Sequence, residues 1–548
     1  MSDAQKWWMS ATGYQIYPRS FCDSNGDGIG DIPGIIAKLD HLADLGIGFV
    51  WLSPVFASPM VDNGYDISDY RDIAPEFGTM ADMDRLIAEA GTREIRIVMD
   101  LVVNHTSDKH DWFLRACADP TAPEHDFYIW RDPAPDGGPP SDLGACFGGP
   151  AWHWVPEVGK YYLGYFSAAQ PDLNWRNPTL RAEIYAMMNW WLDKGIGGFR
   201  MDVISLIGKD VDAGIYEEGP FLHGFLQEMH REALAGRDIV TVGESWAVST
   251  ATAQLYCGRA RGELDMVFQF NHVTQNEDPK FGKFRPKPFA PVPFKKVIAD
   301  WQMALAEDGW NSLFLSNHDL PRQVSIYGDD TRYRVRSAKM LAIAMHLLRG
   351  TPYVYQGEEI GQINSHFAQL SDFRDTETLG KYADLVGHGL TEAEFMAGAN
   401  RTGRDNARVP MQWDNGPGRG FTEGAPWIGF NTRADGISVA TDRDDPEGVF
   451  ATYAALARLR KSEPVIVEGN VTFAALDHPA AFVYRRARGD TAIVVCTNLT
   501  GETTEVDLPP DFQGHGAALI WNMTARNALG AQLKLAPYEA FAVKMTEG

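Results

Sequence analysis

Three acidic residues stand at the ends of short apolar runs: Asp202 in GGFRMDV, Glu244 in IVTVGESW and Asp319 in LFLSNHDLPR. Tens of residues separate them along the chain, so only a fold that gathers several strand ends can make one site of them. Arg200 lies two residues before Asp202 and shares its face of the strand, because side chains alternate between faces. A cation there favours the ionised form of Asp202, which suits a nucleophile or a charge stabiliser. Glu244, partly buried among other carboxylates, is expected to hold its proton more tightly, which suits a proton donor. One ionised carboxylate facing one protonated carboxylic acid is the pairing that glycoside hydrolysis uses. The plainer alternatives are a helix cap at each strand end and a purely structural Arg200–Asp202 salt bridge. Three carboxylates at three strand ends, each beside other polar groups, weigh towards a site.

A second cluster lies in DSNGDGIGD. Asp23, Asn25, Asp27 and Asp31 occupy positions one, three, five and nine of a calcium-type loop, and the carbonyl of Ile29 occupies the seventh. Position twelve is Gly34, so the bidentate glutamate of an EF-hand is absent. Hard oxygen donors suit a structural Ca²⁺, with Mg²⁺ as the other candidate; the alternative is an Asx-rich turn without metal.

The elements that must position these residues alternate regularly. Strand candidates are Gly13–Tyr17, Phe49–Ser53, Ile95–Val103, Gly197–Val203, Ile239–Glu244, Met266–Phe270, Ser312–Asn317 and Pro352–Tyr355. They are nearly continuous apolar runs, as parallel strands covered on both faces should be. Helical patterns lie between them, the clearest opening at the cap-and-proline pair Asn177-Pro178 and stopping at Gly195. Others are expected over Ile35–Leu45, Met83–Ala90, Phe221–Leu234, Val297–Ala306 and Val335–Leu348. Eight strands alternating with helices predict an α/β fold, a (β/α)8 TIM barrel. A doubly wound sheet would carry a Gly-rich nucleotide fingerprint after its first strand, and none follows here. Two connections exceed a barrel's needs and read as insertions: 105–173 after the third strand, and about 361–448 after the eighth. The final segment becomes short strands with turns, an antiparallel β-sandwich domain. The expected units are therefore 1–104 with 174–464 as the barrel, 105–173 as an inserted subdomain, and 465–548 as a C-terminal domain.

Composition narrows the partners. The 548 residues are 45% hydrophobic and 22% charged, which excludes a disordered chain. A net charge of −24 repels phosphate backbones, so nucleic acid is not expected. No long apolar run predicts a membrane span. Five scattered cysteines without a CxxC pair, and an N-terminus without the marks of a signal peptide, fit a cytoplasmic protein.

Taken in order, DLVVNHTS, QPDLNW, GFRMDV, VGESW and SNHD resemble the conserved blocks of the α-amylase family, glycoside hydrolase family 13. NGYDISDY, FRDTETL and GRDNARVPMQWD are similar to its oligo-1,6-glucosidase and α-glucosidase branch. The resemblance implies that Asp202 is the nucleophile forming a β-glucosyl ester, Glu244 the general acid and then base, and Asp319 a transition-state stabiliser. It further implies retention, with the Asp202 and Glu244 carboxyls about 5–5.5 Å apart. Asp62 and Arg404 resemble the pair that closes a glucose pocket, His105, Arg200 and His318 further hydroxyl partners, and Tyr65 an aromatic platform. Phe147 and Phe166 are expected to line the pocket or the next subsite. A metal role for His105 or His318 is disfavoured, since neither has a second histidine or a cysteine at ligand spacing. Asp100 reads as a structural partner of Arg200.

Related α-glucosidases carry a loop like Asp23–Asp31 with a structural Ca²⁺. Val203, directly after Asp202, resembles the α-1,6-acting members, although a packing role would look the same. Leu320 departs from the NHDQPR common in the branch and removes a polar group from the leaving-group side. The expected activity is exo-cleavage of short oligosaccharides such as isomaltose or maltose by a monomer or homodimer. The alternatives are a transglucosylase or sucrose isomerase of the same family, or an inactive scaffold, which would be expected to have lost part of the triad.

Overall fold

The computed structural model describes residues 6–546. The first five and last two residues, the outer ends of the units assigned to 1–104 and 465–548, lie outside the described residues. The barrel strands are β1 (Gly13–Ile16), β2 (Phe49–Leu52), β3 (Arg96–Leu101), β4 (Gly198–Met201), β5 (Val240–Ser245), β6 (Met266–Gln269), β7 (Ser312–Leu313) and β8 (Thr351–Tyr355). All neighbours pair in parallel, in the order β6-β5-β4-β3-β2-β1-β8-β7. A parallel bridge between Val267 and Asn311 joins β6 to β7 and closes the barrel. Its interior is filled by side chains such as Phe49, Trp51, Val98, Val242, Phe268 and Tyr353, which form one buried cluster. The ends differ from expectation most at β7, where the ladder stops at Leu313 and the chain leaves the sheet before reaching Asp319.

The helices follow local chemistry. Asn177 accepts from the N–H groups of Thr179 (2.8 Å) and Leu180 (3.2 Å), opening the helix Pro178–Asp193. The stretch expected as one helix over Ile35–Leu45 is two, Ile32–Ala37 and Leu39–Leu45, broken at Lys38. Likewise Phe221–Leu234 resolves into a helix, Leu222–Met229, and a π-turn, His230–Leu234.

Within 105–173 a three-stranded antiparallel sheet forms from Trp130–Arg131, Trp152–Val155 and Lys160–Leu163. Within 361–448 the longest helices are Thr376–Gly387 and Glu392–Thr402, neither among those expected from the sequence. The second opens on a reciprocal Thr391–Glu394 capping box, so its T-x-x-E signal was present. The two insertions meet closely: a Cβ on Gly380 would lie 1.9 Å from the Phe147 carbonyl oxygen. Only glycine allows this approach, and it sets the loop carrying Phe147 over the mouth of the barrel.

The C-terminal unit is a five-stranded antiparallel sheet with two short two-stranded pairs, its first strand beginning at Asn470. It locks onto the barrel through buried polar groups. Tyr484 donates to the Ala344 carbonyl (2.9 Å), and Arg486 to the carbonyls of Leu347 (2.7 Å) and Gly469 (2.6 Å). Leu347 caps the helix Arg334–His346, so a guanidinium sits at the negative end of that helix dipole. No helix among the described residues is long and apolar enough to cross a membrane.

Arg486 is fully buried, and it donates to the carbonyls of Asn470, Leu347 and Gly469. Replacing it with leucine strands those carbonyls in an apolar interface. Arg486→Leu is therefore expected to cost about 2–4 kcal/mol of stability. Urea denaturation measures this, and an unchanged midpoint would show that the interface does not depend on the guanidinium.

Candidate active site

The site is organised around one side chain. Arg200, on β4, is fully buried, with its guanidinium 4.7 Å above the Trp51 ring. Its Nη1 donates to Asp100 (2.8 and 3.0 Å) and to Asp202 (2.8 Å), and its Nη2 donates to Glu244 Oε2. Strand register explains the convergence. Asp100 on β3 pairs directly with Arg200, while Val242 on β5 pairs with it from the other side. Glu244, two residues beyond Val242, therefore rises to the level of Asp202, two residues beyond Arg200. The expected Asp100–Arg200 pair is present.

Three carboxylates around one guanidinium cannot all ionise freely. Burial pushes the Asp100 carboxyl up to about 6, against the pull of Arg200. Burial likewise raises Asp202 well above its usual range; Arg200 opposes this, while Glu244, Asp100 and Asp319 reinforce it. Arg200 favours ionised Asp202, as expected, but it does not act alone. Burial and like charges outweigh one cation that is shared three ways.

Asp319 behaves oppositely. It lies on the loop after β7, where Arg408 (2.7 Å) and Arg404 (3.2 Å) donate to Oδ1. Burial would raise it, but His318, Arg404 and Arg408 hold it well below the usual carboxylate range. Arg404 also contacts Asp62 (3.5 Å) and Asp375 (2.6 Å), and its guanidinium lies 4.8 Å from the Phe147 ring centre. Asp62, Arg404 and Asp319 thereby share one corner of the pocket.

A cavity of about 510 Å³ opens over these groups. Asp202, Glu244, Asp319, Asp62, Tyr65, His105, Phe147, Phe166, Val203 and Arg404 line it. Arg200 and His318 are outside the lining, fully buried behind it. The Tyr65 hydroxyl donates to Asp100 Oδ2 (3.0 Å) and lies 2.6 Å from His318 Nε2. Burial lowers His105 to about 4 and His318 to about 3, so both imidazoles are neutral at physiological pH. Val203 adopts φ 35°, a left-handed conformation that strains a β-branched residue. That backbone turn directs its N–H to Glu244 Oε2 at 3.2 Å.

Several groups at the site had been quoted in motifs without a role. Asp375 caps the helix Thr376–Gly387 and, against its burial, is held low by Arg404 and Arg408. Glu377 pairs with Lys283 (2.5 Å) and Arg404 (3.4 Å). Trp246 follows Glu244 by two residues, and its indole N–H donates to Glu244 Oε1 at 2.9 Å. Its signal was the residue type at i+2 on a strand end, pointing to the same side as Glu244.

The loop Asp23–Asp31 is remote from this chemistry. Asp23 accepts from the N–H groups of Asn25, Gly26 and Gly28 and from the Thr422 hydroxyl. Burial works against its ionisation, but these bonds outweigh it and hold Asp23 low. Asp31 caps the helix Ile32–Ala37 through Gly34 N and accepts from Ser24. Asn25 and Asp27 accept from the N–H groups two residues on. The donor chemistry fits a hard cation, but these oxygens face N–H and O–H donors. Among the described residues no three His, Cys, Asp or Glu side chains converge as a metal site.

The model of the α-amylase catalytic domain matches residues 15–469. The chain is 51% identical over 540 residues to palatinase from Erwinia rhapontici, covering 98% of each chain. It is 49% identical over 519 residues to the oligo-1,6-glucosidase of Parageobacillus thermoglucosidasius, covering 92% of each. The solved isomaltulose synthase of Klebsiella sp. LX3 superposes with a TM-score of 0.95 at 38% identity, covering 99% of this chain and all of that one.

Burial pushes Asp62 up to about 7, against Arg404 and Arg408. An unfolded aspartate titrates near 3.9, so the native state binds this proton more tightly. The resulting stability is complete below about pH 4 and is lost as pH rises through 7. Relative to wild type, Asp62→Asn is expected to gain stability between pH 5 and pH 8, by one to a few kcal/mol. Thermal unfolding at both pH values checks the difference; an offset independent of pH would refute it.

Proposed function

The chain belongs to the α-amylase family, and we propose that it is a retaining, exo-acting α-glucosidase that removes glucose from the non-reducing end of short α-glucosides. The observation that carries this reading is the pair Asp202 and Glu244 on one guanidinium, facing a cavity whose far corner is closed by Asp62 and Arg404. Asp202 attacks C1 while Glu244 gives its proton to the glycosidic oxygen. Once Asp202 is esterified it carries no charge, so Glu244 no longer faces that like charge and can accept a proton from water. Asp319, kept ionised by Arg404 and Arg408, faces the developing positive charge and the ring hydroxyls. Arg200, tied to Asp100 throughout, balances charge as the proton leaves and returns. A pocket closed by Asp62 and Arg404 favours chain ends over internal bonds.

For linkage we infer a preference for α-1,6 bonds. Val203 supports it, lining the cavity beside Asp202 in a strained conformation that leaves its side chain little choice of direction. The 49% identity to an oligo-1,6-glucosidase supports it too. A second reading, sucrose isomerisation, is favoured by the likeness to an isomaltulose synthase. There fructose, rather than water, intercepts the glucosyl ester. For the loop Asp23–Asp31 we propose a structural Ca²⁺, or Mg²⁺, held by Asp23, Asn25, Asp27, the Ile29 carbonyl and Asp31 in exchange for the N–H and O–H bonds they now accept.

The direct test incubates the protein with isomaltose, maltose and sucrose in turn. Expected are α-glucose as the first anomer by NMR, faster release from isomaltose than from maltose, and a loss of about 10⁴-fold or more in kcat for Asp202→Asn. β-Glucose as first product would overturn retention, faster maltose cleavage the linkage preference, and isomaltulose formed from sucrose would favour the second reading. For the loop, adding millimolar Ca²⁺ to EDTA-dialysed protein is expected to raise the unfolding temperature by several degrees. An unchanged temperature would mark the loop as an Asx turn without metal.

A further inference from the structure

We propose that Trp246 is the positioning residue for Glu244: its indole N–H holds Oε1, the carboxyl oxygen that Arg200 does not hold, at the leaving-group side of the cavity. The two oxygens of Glu244 are bonded from different directions. Oε2 accepts from Arg200 Nη2 and from the Val203 N–H, both on the β4 side. Oε1 accepts from Trp246 Nε1 at 2.9 Å. With Oε2 anchored, the carboxyl plane can still rotate about its last bond, and the N–H of Trp246 removes that freedom. The transferable proton of a general acid anchored in this way belongs on Oε1, because Oε2 already faces a cation and an amide.

Trp246 is itself held to do this. It is 38% exposed and lines the cavity, so it is not a core filler. Its ring stacks on Phe270 at 3.8 Å with the planes 9° apart, and Phe270 packs on Phe314. Phe270 and Phe314 follow β6 and β7 and share a buried cluster with Leu320, next to Asp319. The residue that departs from the family pattern therefore helps build the apolar support behind Trp246. An indole is a donor only, so it can hold Oε1 without competing for the proton. When the C1–O bond breaks, its electron pair stays on the glycosidic oxygen, which takes the proton from Oε1; the N–H then stabilises the carboxylate left behind.

This inference rests on Glu244 being the general acid. The charged groups facing Glu244 are Arg200, Asp202 and Asp100 from β3 and β4, and Glu217 from the loop after β4. The variant Trp246→Phe leaves all of them in place and keeps an aromatic ring on Phe270, removing the donor together with the pyrrole ring that carries it. Loss of a bond to the ionised form shifts the acid's limb upwards. The alkaline limb of kcat/KM is expected to rise by about half to one pH unit. At the plateau, kcat/KM for isomaltose is expected to fall about tenfold, and that for an aryl α-glucoside with a good leaving group less than twofold. An unmoved limb, or equal losses on both substrates, would overturn the proposal and leave Trp246 as an apolar surface. Glu244→Gln separates this from failure of the underlying reading. If Glu244 is the acid, that variant loses the alkaline limb and spares the aryl substrate's first step; if both stay as in wild type, the acid is elsewhere.

Discussion

One buried guanidinium sets the terms for the whole site. Arg200 has no exposed surface and is surrounded by Asp100, Asp202 and Glu244. A buried cation costs several kcal/mol unless it is paired, and a third buried carboxylate around it exceeds what one positive charge can balance. Burial and mutual repulsion raise Asp100 and Asp202 against the pull of Arg200. A barrel whose adjacent strands bring Asp100, Arg200 and Glu244 to neighbouring positions therefore gathers the acids around one shared cation. The chemistry follows from the register of β3, β4 and β5 more than from any single residue.

A second cationic centre, Arg404 with Arg408, does the opposite work. Two guanidiniums face Asp319 and Asp375, and both carboxylates stay ionised although buried. The two centres flank one cavity but shift their carboxyls in opposite directions. One cation serves the acids at the first, whereas two converge on Asp319 and Asp375 at the second. Asp62, 3.5 Å from Arg404, falls between them, with burial pushing it up to about 7 against Arg404 and Arg408. The insertions matter here because they supply what the barrel lacks. Phe147 comes from the first and Asp375, Arg404 and Arg408 from the second, brought together where Gly380 allows the backbones to touch.

The junction of the two carboxylates carries backbone strain at a β-branched residue. Val203 occupies a left-handed conformation that costs a β-branched residue of order 1–3 kcal/mol. It persists because the chain must leave β4 immediately after Asp202 while its N–H still reaches Glu244 Oε2. Trp246 approaches the same carboxyl from the opposite side, supported by aromatic rings from the next two strands.

By itself the sequence determined the alternation of strands and helices, the (β/α)8 class, and the carboxylates Asp202 and Glu244 at strand ends. Each of these is written in local periodicity or in residue type beside a strand terminus, so no long-range information is needed. Asp100 was also legible as a partner for Arg200, since a lone acid in an apolar strand must find a cation. The tertiary structure alone decided the rest. That Asp202 shares its cation with two other acids depends on register between strands distant in sequence, and so does the opposition between burial and Arg200 at that carboxyl. Arg408, Asp375 and Glu377 stood in visible motifs, yet their roles arise only when the second insertion folds back over the mouth. The burial of Arg200 and His318 behind the cavity, and the bond from Trp246 to Glu244, likewise need side-chain directions in space. A pattern of residue types specifies which face a side chain takes; which charges then meet, and how many share one counter-charge, is set by packing.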